Sequence, residues 1–166
     1  MIDTRLPLKT RVLFMCLRND NRSPMAEAWV NHLYGDFFEA ISAGLEPWPI
    51  HPLAVRVMEE VGIFISAHHP QRVFDLVVRD ELFSYAVTLW DQGHYERRAY
   101  FPGYCIRLLW DLPNPTATRG EKEPALNRFR KVRDELKVKI EGWMPQVIKE
   151  KSANPEVTPT SQGNRI

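Results

Sequence analysis

The stretch from Arg11 to Glu27, RVLFMCLRNDNRSPMAE, constrains this chain more than any other. Val12-Leu13-Phe14-Met15 is an apolar run that ends at Cys16. Arg22, Ser23 and Pro24 come next, and a helix-like segment runs from Met25 to Leu33. A short run of β-branched and large apolar residues fits a buried strand. Serine followed by proline fits a helix start, because the missing proline N–H costs nothing in a first turn. The stretch therefore reads as strand, tight loop, helix.

That order has chemical consequences. The first N–H groups of a helix lack internal partners, and with the loop amides they form an anion site. The oxyanion-binding set is Leu17, Arg18, Asn19, Asp20, Asn21, Arg22 and Ser23. Cys16 opens the loop as a candidate nucleophile, since an anion site favours the reactive thiolate form. Arg22 can grip a tetrahedral oxyanion with two parallel N–H bonds. Ser23 is placed to donate to the sulfur, and Asn19 suits a tight loop because asparagine tolerates positive φ. The bland alternative is an inert cysteine at a strand end with a surface arginine. The strand before, Asn19, Ser23 and the helix after weigh against it.

The 166 residues suffice for one domain with a proper core, and 44% hydrophobic and 26% charged residues are ordinary globular values. A net charge of +1 without a basic face argues against a nucleic-acid partner. Two cysteines cannot form a disulfide framework. There is no apolar leader and no stretch long enough to span a bilayer, so a reduced, cytoplasmic protein with no membrane partner is expected. Residues 1–9 read as a lead-in, 10–149 as the domain and 150–166 as a flexible tail.

Further strands are expected over 37–44, 85–90 and 105–110. Helices are expected over 53–61, stopped by Gly62, over 73–82, and over 123–149 with an end near Gly142 to Pro145. On the first helix Met25, Ala28, Trp29, His32 and Leu33 read as the core stripe. Alternation of this kind predicts an α/β fold: a three-layer domain with a central, mostly parallel four-stranded sheet flanked by helices. Ligands bind at the carboxyl edge of such a sheet, where Cys16, Asp91 and Asp111 to Asn114 all follow strand ends. Arg97 and Arg98 read as a solvated pair, His68-His69 as a turn, and Cys105 as a small core residue.

At this point the residues resemble the low-molecular-weight protein tyrosine phosphatase superfamily, and more closely its arsenate reductase branch. The resemblance is carried by Val12 to Cys16, Arg22-Ser23, Met25-Ala26-Glu27, Ser42 to Pro47, Pro52 to Val55, Gly62-Ile63, Phe101-Pro102-Gly103, Trp110 and Phe129 to Leu136. It implies Cys16 as nucleophile, with Arg22 and the loop amides on the oxyanion. It implies a small oxyanion substrate, arsenate or a phosphate ester, and no cofactor. Asn19, Glu27 and Ser42 match positions that hold the loop or a potassium ion in some reductases. The remaining positions fall at His69 and Gln71, poor ligands, so no metal is expected.

Three departures follow. The aspartate-proline pair that supplies the general acid stands here as Asn114-Pro115, and an amide cannot give up a proton as an acid does. Asp111, three residues earlier, is the candidate substitute acid; the alternative is a slower step without acid help. The relay cysteines of the thioredoxin-coupled branch are missing: Trp90 and Asn21 stand at cysteine positions. An external thiol, or a glutaredoxin-like partner, is then the expected reductant. Arg18 and Asp20 add opposite charges to the loop, and Trp48 or Tyr95 are candidate aromatic walls. The alternatives are a phosphate monoester hydrolase and an oxyanion-binding module that has lost turnover.

Overall fold

The computed structural model describes residues 8–116 and 124–154. Residues 1–7 of the expected lead-in and 155–166 of the expected tail lie outside the described residues, and residues 150–153, expected in the tail, belong to the last helix. Four strands, Thr10–Cys16 (β1), Phe38–Gly44 (β2), Tyr85–Trp90 (β3) and Ile106–Asp111 (β4), form one sheet in the order β2-β1-β3-β4. Every pairing is parallel. The helices are Arg22–Tyr34 (α1), Pro52–Glu59 (α2), Val73–Val78 (α3) and Ala125–Ala153 (α4).

Side-chain alternation on β1 builds both faces of the core. Val12, Phe14 and Cys16 face a cluster with Trp29 and Val30 of α1, Val57 and Met58 of α2, and Phe129, Leu136 and Ile140 of α4. Leu13 and Met15 face the other cluster, with Val73 and Leu76 of α3, Phe83 and Phe101. This is the three-layer α/β arrangement expected. Each large side chain buried this way stabilises the fold by about 1.5–3 kcal/mol. Among the described residues, no helix is long and apolar enough to cross a membrane.

Two expectations need correction. His32 and Leu33 are exposed, and the core stripe of α1 is Met25, Ala26, Trp29 and Val30. On α4 the helix continues through Pro145 to Ala153. Proline removes one ladder bond, but Met144 and Val147 are buried on either side and hold the helix against the core.

Parallel topology brings the strand ends to one edge. Cys16 is level with Gly44, and Trp90 with Asp111. The segments that follow these ends build the site.

Candidate active site

Past Cys16 the chain turns through residues 17–21 into α1. Asn19 has φ 52°, a left-handed conformation that asparagine tolerates. Gly44 lets the loop lie close: a Cβ there would come within 2.8 Å of Asn19 N and 2.9 Å of Arg18 C. Asn21, not Ser23, is the N-cap, and its Oδ1 accepts from Arg22 N at 2.5 Å.

The sulfur is held from two sides. Cys16 Sγ accepts from Asn19 N at 3.3 Å and lies 2.9 Å from Ser23 Oγ. Asn19 Nδ2 donates to Ser23 Oγ at 2.8 Å and to Ser42 Oγ at 2.9 Å. With the Ser23 oxygen taken as acceptor, its hydroxyl hydrogen is directed to the sulfur. Ser42 Oγ in turn donates to Glu27 Oε2. Asn19 Oδ1 accepts from Gln71 N at 3.1 Å and lies 3.2 Å from His68 Nε2. The asparagine amide thus ties the nucleophile loop to β2 and to residues 68–71.

Glu27 lies under this network, and burial pushes its pKa up to about 7 against the hydrogen bonds from Ser42. His68 Nδ1 is 3.6 Å from Glu27 Oε2, and burial lowers the His68 pKa. His68, rather than His69, therefore enters the cluster. Its ring nitrogens contact Asn19 Oδ1 and Glu27 Oε2, two oxygens that a hard cation would need. The residues present do not fit a potassium ion.

Arg22 is buried and donates from Nη1 to Glu96 Oε2 at 2.7 Å and to Leu112 O at 3.3 Å. Nη2 donates to Glu96 Oε1. Burial works against the Arg22 charge, but Glu96, Cys16 and Asp91 outweigh it and push its pKa up. Arg22 Nε is the one buried side-chain polar atom without a partner among the described residues.

Glu96 is the site residue that sequence reading missed. It lies in the polar loop after β3, and only the fold brings it to Arg22. Asp91 is also buried there, accepting from Asn114 N at 2.7 Å and lying 2.8 Å from His94 Nδ1.

The other expected residues are placed as follows. Asn114 Nδ2 donates to Glu96 Oε1 at 3.2 Å, so this position adjoins the site. Asp111 is exposed, and its Oδ1 accepts from Gln92 N at 3.1 Å; neither Cys16 nor Arg22 is its partner. Asp20 is buried, accepts from Asn21 Nδ2 at 3.0 Å, and has its pKa raised by burial against His51 and Arg18. Arg18 stacks over Trp48 at 3.8 Å. Tyr95 is almost fully exposed. Arg97 pairs with Glu46 and Arg98 stacks over Trp90 at 4.8 Å, both on the surface. Cys105 is half-buried against the second core cluster, and burial raises its thiol pKa.

A sulfur held by an amide and a hydroxyl, at the carboxyl edge of a parallel sheet beside a buried arginine, defines a cysteine-based oxyanion enzyme. The chain belongs to the low molecular weight phosphotyrosine protein phosphatase family, whose model matches residues 11–153. An arsenate reductase of Shouchella clausii (strain KSM-K16) is 34% identical over 134 residues, covering 80% of this chain and 93% of the relative. One of Bacillus subtilis (strain 168) is 33% identical over 127 residues, covering 75% and 88%. A solved structure of an arsenate reductase in the phosphate binding state superposes with a TM-score of 0.67 at 28% identity, over 83% of this chain and 98% of that one.

Proposed function

We propose that this protein reduces arsenate, with Cys16 as nucleophile and a thiol from outside the chain as reductant. One observation carries the reading: the buried, unpartnered Nε of Arg22 beside a sulfur held by Asn19 and Ser23. A tetrahedral oxyanion supplies the acceptor that this donor lacks. The relatives named arsenate reductase, one of them solved in a phosphate binding state, support the choice of substrate.

The thiolate of Cys16 attacks arsenic and forms an S–As bond, and one arsenate oxygen leaves as water after taking up a proton. The external thiol then attacks the Cys16 sulfur. The S–As bond breaks with its electron pair on arsenic, which falls from As(V) to As(III) and leaves as arsenite. A mixed disulfide remains on Cys16, and a second external thiol releases it. In sum, one arsenate and two thiols give arsenite, one disulfide and water. Arg22 and the loop amides hold the oxyanion charge throughout. A reducing compartment, the cytoplasm, suits this cycle.

Phosphate ester hydrolysis uses the same seat but needs a proton for an alkoxide or phenoxide. Asn114 offers an amide there, and Asp111 is engaged by Gln92 N. The test is to incubate the protein with arsenate and small thiols, and separately with a nitrophenyl phosphate, against Cys16→Ser. Arsenite formed by the wild type and lost in the variant supports the reading. Phosphate release alone makes the protein a phosphatase, and oxyanion binding without either product makes it a binding module.

A further inference from the structure

A guanidinium has five N–H groups in a rigid fork, so each that is used determines which remain. Both Nη1 hydrogens are taken, by Glu96 Oε2 at 2.7 Å and Leu112 O at 3.3 Å. One Nη2 hydrogen goes to Glu96 Oε1. What remains is the second Nη2–H and the Nε–H, which point the same way along one side of the plane. Nε is the buried atom without a partner.

We propose that Glu96 is the positioning residue for Arg22: it takes the end-on fork of the guanidinium and so presents the side-on fork, Nε and Nη2, to two oxygens of the oxyanion. This rests on the functional reading above, in which that oxyanion is arsenate.

The hydrogen bonds of Glu96 distinguish this role from blockade of the site. Among the described residues, its carboxylate accepts from Arg22 Nη1 and Nη2, from Asp91 N at 3.0 Å and from Asn114 Nδ2 at 3.2 Å. None of its donors is a loop amide of residues 17–22. Glu96 therefore sits behind the arginine, outside the cradle those amides form. It is also held in place. Its carbonyl accepts from Trp90 Nε1 at 2.6 Å, Tyr95 before it takes φ 51°, and Arg97 after it pairs with Glu46. Both side chains of the Arg22–Glu96 pair are almost fully buried, at 2% and 6% exposure, so the fork is little exposed to competing water.

Asn114 gains a role from the same geometry. Its Oδ1 accepts from Thr116 N at 3.1 Å and from Thr116 Oγ1 at 2.8 Å, which turns Nδ2 toward Glu96. An ionised aspartate could not donate there. Asparagine at this position thus steadies the carboxylate that steadies Arg22. A guanidinium oriented in advance loses less freedom when substrate binds.

The test uses the whole chain as wild type, Glu96→Gln and Glu96→Ala. Inorganic phosphate and arsenate are titrated by calorimetry, and hydrogen exchange at the Arg22 Nε–H is followed by ¹⁵N NMR, with the peak assigned from Arg22→Lys. Glu96→Ala should weaken oxyanion binding at least tenfold and speed exchange at Nε–H. Glu96→Gln keeps the volume and one acceptor, so its effects should be smaller and its melting temperature near that of the wild type. The loss in kcat/KM for arsenate should follow the loss in affinity. Tighter or unchanged binding in Glu96→Ala would make Glu96 an occluding group or a bystander and overturn the proposal. If the wild type binds neither anion, the functional reading fails on its own. The exchange rate then decides the positioning role, and equal exchange with and without Glu96 overturns it.

Discussion

Cys16 and Cys105 stand at opposite ends of the sheet. Cys16 ends β1 and, through the register of β1, β3 and β4, is level with Leu89 and Trp110. Cys105 precedes the first residue of β4, so the two Cα atoms are about 16 Å apart along the strands alone. A disulfide needs Cα atoms within roughly 7 Å. The sequence has no third cysteine, and at this separation Cys105 is not placed to resolve an oxidised Cys16.

Replacing the second thiol should therefore cost little. Cys105→Ser should keep arsenate turnover within about twofold of wild type, since its sulfur packs at the core edge. Steady-state kinetics with a small thiol checks this. Loss of turnover by more than tenfold in a folded variant would give Cys105 a redox role.

Asn19 should matter to both fold and turnover. Asn19→Ala removes the amide donor to Ser42 Oγ and Ser23 Oγ, leaves Gln71 N without its acceptor, and places alanine at φ 52°. A buried polar group left unsatisfied costs about 1–3 kcal/mol. Denaturant unfolding should show a loss of at least ~2 kcal/mol, and turnover should fall more than tenfold.

Glu27 should give stability a slope with pH. Its folded pKa of about 7 lies above its usual 4.5, so the folded state binds more protons than the unfolded state between those values. Stability then falls as pH rises through that window, by at most ~3 kcal/mol, and is level above it. Glu27→Gln should remove this fall. Urea unfolding of both proteins from pH 5 to 8 measures it. His51 and His68 have lowered pKa values that act in the opposite sense; the comparison cancels His51, whereas His68, 3.6 Å from Glu27, titrates beside the altered group.

Asn114→Asp should raise hydrolysis of a nitrophenyl phosphate by about tenfold or more, because it restores the acid that the family resemblance expects at this position. The new carboxyl would lie near Glu96, where the amide nitrogen now sits at 3.2 Å. Like charges that close share a proton, which keeps one of them in its acid form toward neutral pH. An unchanged pH–rate profile would mean that this position does not face the leaving group.

What the sequence made legible was local or periodic. The apolar run into Cys16, and Arg22-Ser23 at the helix start, lie within one loop and report directly on it. The succession of strands and helices along the chain reports on the layers. What stayed hidden depends on distant parts of the chain. Glu96 is one glutamate in a polar loop until Tyr95 turns left-handed and sets it against Arg22, 74 residues away. Which of His68 and His69 faces Asn19 depends on the backbone direction of a single turn. Pro145 reads as a helix stop because local propensity cannot weigh the burial of Met144 and Val147.

The most direct test is the mass of the intact protein after arsenate and one equivalent of a small thiol, with the reaction quenched by acid. An arsenate-dependent mixed disulfide of that thiol on Cys16 is expected, with arsenite released and Cys105 still reduced. A Cys16–Cys105 disulfide, or no change at Cys16 while arsenite forms, would contradict it.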